Sequence, residues 1–164
     1  MLVSFLRRKH IPARLRSGFA SYFADDWEDH WVCEYWAAEA EVWRLADAQI
    51  DEVLQARLTI RFDPTDVPRD LFLTAGRAWL ECRSARLDFR DFGHGPTRGR
   101  WFAHVNVVRD SLALNHIVTS PWDKWRTAPE SQRWLNDDDV AATDALAEDP
   151  DRRKIEISAE WLKP

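Results

Sequence analysis

Hydrophobic positions recur with helical spacing at the start of the chain. Leu2, Val3, Phe5 and Leu6 run into Arg7-Arg8-Lys9, and Pro12 stops the pattern. This predicts a short amphipathic helix whose basic last turn suits the negative end of the helix dipole. No N-cap residue precedes Leu2, so the pattern starts inside the helix. Residues 13–23 then read as a strand, with Gly18 where a bulge or close backbone approach is expected. Residues 30–36 and 41–47 are two more β-rich runs, joined by Ala37-Ala38-Glu39-Ala40. A loop of that length sets Trp36 against Glu41, Glu34 against Trp43, Val32 against Leu45 and His30 against Asp47. Directly opposed residues have Cβ atoms about 5 Å apart. The pattern therefore expects an imidazole beside a carboxylate, on the face that carries Val32, Trp43 and Leu45.

Further along, Asp63-Pro64-Thr65-Asp66-Val67-Pro68 is turn-rich. Residues 71–83 and 101–116 have helical periodicity, the second with Trp101, Val105, Val108 and Leu112 on one stripe. Residues 92–100, with Gly93, Gly95, Pro96 and Gly99, read as a flexible loop. Residues 119–132 contain Pro121 and Pro129 and read as an extended segment pinned by tryptophans; Trp122 and Trp125, with Asp123, Lys124 and Arg126, read as anchors wrapping the core, with a docking or lid segment as the alternative. Residues 137–148 form a last helix with an acidic first turn. There is no internal repeat. The expected fold class is α+β: an antiparallel sheet with the N-terminal helix packed on one face and a mostly helical C-terminal half. Residues 1–56 form the first part and residues 57–164 an extension on the same core.

Composition narrows the function classes. At 164 residues, 45% apolar and 31% charged, the chain can bury one core. No apolar run approaches the roughly 20 residues that span a bilayer, so no membrane partner is expected. The first residues are too short for a secretory leader before the basic run. Cys33 and Cys82 cannot make a disulfide framework, and a reducing cytoplasm is the default. The net charge of −5 leaves no overall basic footprint, so no nucleic-acid partner is expected. Ten tryptophans supply large core or interface area.

His30 and Asp47 carry the sharpest chemical expectation, since a carboxylate that orients an imidazole fixes its tautomer and strengthens it as a base. The words around them add to it. Ile11-Pro12-Ala13-Arg14, Ser17-Gly18-Phe19, Glu28-Asp29-His30-Trp31-Val32-Cys33-Glu34-Tyr35-Trp36 and Trp43-Arg44-Leu45-Ala46-Asp47-Ala48-Gln49 follow one another in order. Over residues 2–49 the chain resembles the bacterial-type transglutaminase-like superfamily, with its "IPAR" turn, "HxWxE" strand and "WxxxDxx" strand. The resemblance implies papain-like thiol chemistry: a Cys thiolate attacks an amide carbonyl, and water or an amine resolves the acyl-enzyme. It makes His30 the base and acid, and Asp47 its orienter.

The same resemblance puts the nucleophilic Cys at the start of the helix leading to "IPAR", and residues 1–10 contain none. The expectation is thus an N-terminally truncated thiol site, inactive as written for want of its sulfur. Cys33 is an odd number of residues from His30 along one strand and should point to the other face. Cys82 lies on an expected helix with no cue for a low pKa, and Ser4 sits past the turn that would stabilise an anion. His94, His104 and His116 lack metal-ligand spacing, and Asp137-Asp138-Asp139 reads as a helix start rather than a calcium loop. No metal or other cofactor is expected. The expected partner is a protein or peptide amide, as substrate or ligand, and apolar surface left uncovered by the short first helix could support an oligomer. Two alternatives stay open: a pseudoenzyme that binds a peptide in the old cleft, and an interaction module whose Trp-rich half covers a partner.

Overall fold

The computed structural model describes residues 1–117, 119 and 135–150. The elements run in the order α1 (Leu2–Arg8), β1 (Ala13–Ala20), β2 (Trp27–Ala37), β3 (Val42–Ala46), α2 (Glu52–Leu58), β4 (Phe72–Thr74) and α3 (Ala75–Arg83). A 3-10 turn at Phe89–Asp91 then leads to β5 (Phe92–His94), β6 (Thr97–Arg98), α4 (Arg100–Leu114) and α5 (Asp137–Glu148). Helices and one mostly antiparallel sheet make the chain α+β.

The strands lie in the order β4-β1-β2-β5-β6, and β3 also pairs with β2. All pairings are antiparallel except β2 with β5. The long β2 is divided along its outer edge. β5 pairs at Trp27 and Glu28, and β3 pairs from Cys33 to Ala37. His30 falls in the interval between them.

The hairpin of β2 and β3 corrects the expected register. Trp36 pairs with Trp43, Glu34 with Leu45 and Cys33 with Ala46. The loop is residues 38–41 rather than 37–40, and it closes with Glu41 in the left-handed region at φ 53°. Moving the loop by one residue shifts the pairing by two, which leaves every side chain on its expected face.

Odd-numbered positions of β1 and β2 face the helices. Phe19 packs there with Trp79, Phe92, Phe102 and Val107, and α1 lays Leu2, Val3 and Leu6 over Ala13, Cys33 and Ala46. Even-numbered positions face the connection between β3 and β4, where Ala20, Val32, Leu45, Val67 and Phe72 form a separate cluster with Tyr22, Phe23 and Phe62 against it.

Three expectations change in detail. The periodic run at 71–83 begins as β4 before turning helical, because Phe72 and Leu73 are taken up by pairing with β1. The glycine-rich stretch 92–100 folds as β5 and β6, and a Cβ at Gly93 would sit 2.2 Å from that of Arg98. The α4 stripe of Val105, Val108 and Leu112 forms as expected, but Phe102, Ala103 and Val107 pack the opposite side, so α4 is buried nearly all round. The last helix starts at Asp137 with a capping box between Asn136 and Asp139. Strands β4, β5 and β6 of the second part complete the sheet of the first. Trp122 and Trp125 and the extended segment around them lie outside the described residues.

Gly18 explains its own place in the strand. A Cβ there would stand 2.1 Å from the Leu73 carbonyl oxygen in β4. Gly18→Ala must push backbone from backbone, and an urea-unfolding midpoint lowered by the equivalent of about 1–3 kcal/mol is expected.

Candidate functional site

The site grows from the interval in the β2 edge. His30 is 9% exposed, and its Nε2 stands 2.6 Å from Asp47 Oδ2. Asp47 follows β3 directly, so in the observed register it lies diagonal to His30 rather than opposite it. Diagonal neighbours are about 7–8 Å apart at the backbone, within reach of an imidazole and a carboxylate that lean together.

Asp47 is held from every side. Its backbone N–H donates to the Pro64 carbonyl at 2.8 Å. Its Oδ1 accepts the Gln49 N–H at 2.9 Å, and its Oδ2 accepts the Tyr22 hydroxyl at 2.8 Å. Burial alone pushes this carboxyl up. The hydrogen bond and charge of His30, with the Gln49 and Tyr22 donors, outweigh burial and hold it below the usual carboxylate range. The same burial and the Asp47 charge drive the Tyr22 hydroxyl well above its ordinary value, so it stays a donor.

An ionised carboxylate can only accept. Nε2 therefore carries a hydrogen toward Asp47, which in the neutral ring leaves the lone pair on Nδ1. Nδ1 makes no hydrogen bond among the described residues, and aromatic rings frame the imidazole: Phe23 at 4.8 Å, Tyr22 at 6.1 Å and Phe72 at 6.4 Å. The arrangement is an imidazole oriented by a buried carboxylate, with an aromatic surround.

Neither thiol of the chain reaches it. Cys33 points to the helix side of the sheet, and burial pushes its thiol up to about 11. Cys82, in α3, belongs to the cluster around Phe19 on that same side; burial and the nearby Asp88, Asp91 and Glu81 push it up to about 12. Ser4 is exposed on α1, which also packs on the side away from His30. The helix that the resemblance would make the nucleophile's carrier thus covers the opposite face.

Next along the even face lies a buried charge network. Glu34 is 2% exposed and accepts from Arg14 at 2.7 Å, Arg16 at 2.8 Å and Arg69 at 2.8 Å. Arg16 also donates twice to Asp110 of α4, at 3.0 and 2.7 Å, and Asp110 accepts the Ser17 N–H at 2.8 Å. Burial would raise the Glu34 carboxyl, but the arginines pull it down to about 2. The network ties the strand bearing the site to α4.

The other histidines stand apart. His94 Nδ1 is 3.3 Å from Glu28, His104 is buried with Nδ1 2.7 Å from the Thr143 hydroxyl, and His116 is exposed after α4. Among the described residues, no three His, Cys, Asp or Glu side chains gather as a metal set.

Sequence reasoning missed Tyr22. It stood at the end of an expected strand with nothing in its spacing to tie it to Asp47, 25 residues away. The Gln49 contact was legible, since an aspartate commonly bonds the amide two residues on. Beside Tyr22 and Phe23 opens a groove of about 670 Å³ that Ile60, Phe62 and Leu71 also line. No family model, no curated protein and no solved structure matches the chain.

Proposed function

We propose that the chain is a transglutaminase-like domain carrying the base and orienter of a thiol acyl-transfer centre, with His30 as base and acid and Asp47 as its orienter. The observation that supports this reading is the 2.6 Å contact between two buried groups whose geometry leaves Nδ1 as the free lone pair. In the reaction, Nδ1 takes the proton of a thiol, the thiolate adds to an acyl carbonyl, and the imidazolium returns the proton to the leaving group. Asp47 stabilises the imidazolium throughout. The substrate class is a protein or peptide amide.

With Cys33 and Cys82 held on the other side of the sheet, the 164 residues do not take up an acyl group by themselves. A second reading, non-catalytic peptide binding, is favoured by the aromatic groove beside the imidazole.

A small thiol supplied from solution tests the first reading. Thiolysis of an activated ester such as p-nitrophenyl acetate by added 2-mercaptoethanol is expected to be accelerated by the protein about 10²-fold, a typical general-base contribution. His30→Ala is expected to abolish the effect. Iodoacetamide is expected to label Cys33 and Cys82 slowly at neutral pH, equally with and without His30, because both thiols are protonated. No His30-dependent acceleration, or fast labelling that His30→Ala removes, contradicts the assignment.

A further inference from the structure

Resting on the reading of His30 and Asp47 as a base and its orienter, we infer that the groove beside them binds the end of a peptide whose last residue is aromatic, its ring between the groove walls and its carboxylate on Arg61. One wall comes from the segment after β1 and presents Tyr22 and Phe23. The other comes from the segment after α2 and presents Ile60 and Phe62. The Tyr22 ring lies 5.2 Å from Phe62 and 4.6 Å from Phe23, both tilted or edge-on, the packing an inserted ring can extend. Phe23 in turn touches His30, so a ring in the groove lies one aromatic side chain away from the base.

Charge selects the rest of the ligand. Among the described lining residues Arg61 is the one charged group, and it is exposed with no ion pair or hydrogen bond to another described residue. The contrast lies in the second cavity, of about 650 Å³, where Arg69, Arg77 and Arg86 also converge. There each guanidinium already has a carboxylate, from Glu34 or Glu81. Among the described residues Arg61 has none, and an apolar groove with one such cation fits a ligand that is both aromatic and anionic.

Tyr22 joins the groove to the chemistry. Its ring is a wall, and its hydroxyl donates to the same Asp47 oxygen that meets His30. A ligand that moves the ring is read at the imidazole.

The test is an NMR titration of the full chain with N-acetyl-phenylalanine, N-acetyl-phenylalaninamide and acetate. The acid is expected to bind about tenfold more tightly than the amide, the usual worth of one hydrogen bond to a charged group. Its shifts are expected at Tyr22, Phe23, Phe62 and His30, and acetate should give none there. Arg61→Gln, at an exposed position, is expected to reduce the acid's affinity to that of the amide. Equal binding of acid and amide, an unchanged Arg61→Gln titration, or shifts elsewhere overturn the inference. Selective binding without His30-dependent thiolysis would leave the groove standing and remove the base; thiolysis without selective binding would do the reverse.

Discussion

Arg16→Met is expected to destabilise the chain by about 3–5 kcal/mol, the usual cost of removing one partner from a buried charge network. Arg16 is 6% exposed, and burial is the largest single influence on its guanidinium. Asp110 and Glu34 answer it so fully that its pKa rises rather than falls. Methionine has nearly the same length, so packing is kept and the charge alone is lost. Among the described residues Asp110, 1% exposed, would then keep only the Ser17 N–H, and Glu34 would keep Arg14 and Arg69. Thermal unfolding should show the loss as a melting temperature lowered by about 10 °C. A change under about 1 kcal/mol would mean that water, not Arg16, satisfies the two carboxylates.

The network also sets a pH dependence. The folded-state pKa of Glu34 lies near 2, below its ordinary 4.5. A depressed carboxyl stabilises the fold above the unfolded value and loses that contribution as pH falls through the folded one. The Glu34 share is therefore complete above about pH 4.5 and disappears toward pH 2, and Asp47 adds in the same direction. Glu34→Gln should flatten the acid limb of a stability–pH curve.

Trp79→Ala is expected to cost about 3–5 kcal/mol, as a large aromatic removed from a core that cannot collapse over it. Trp79 is wholly buried in α3, stands 5.1 Å from the Phe89 ring and touches the cluster around Phe19. Its indole N–H also donates to Asp144 of α5 at 2.6 Å, beside the Arg83 pair. The loss thus reaches beyond volume, since it releases a tie between two helices. Trp79→Phe keeps most of the apolar volume and should cost only about 1–2 kcal/mol, for the lost hydrogen bond. Equal costs for the two variants in urea unfolding would show that the Asp144 bond, not the packing, dominates.

Local pattern exposed much of the fold and its site. The helical stripe of α4, the acidic first turn of α5 and the face alternation of β2 and β3 are each set within about fifteen residues. His30 and Asp47 meet although the hairpin is shifted, because a shift of two preserves faces and the carboxylate reaches diagonally. What stayed hidden is long-range. Arg16 and Asp110 are 94 residues apart, and no spacing announces their pairing. β4 looks helical in isolation because its three residues precede a true helix, and only the edge of β1 makes them a strand. β5 likewise exists because Trp27 and Glu28 offer it a partner. The tautomer-setting triad of contacts around Asp47 was half visible: Gln49 is local, Tyr22 is not.

The central claim concerns one proton on one ring, and nitrogen-15 NMR of labelled His30 reads it directly. For the neutral ring the account predicts a single tautomer, with the hydrogen on Nε2 and the lone pair on Nδ1, and a mixed-tautomer signal once Asp47 is replaced by alanine. A hydrogen found on Nδ1, or a tautomer balance that Asp47→Ala leaves untouched, would contradict it.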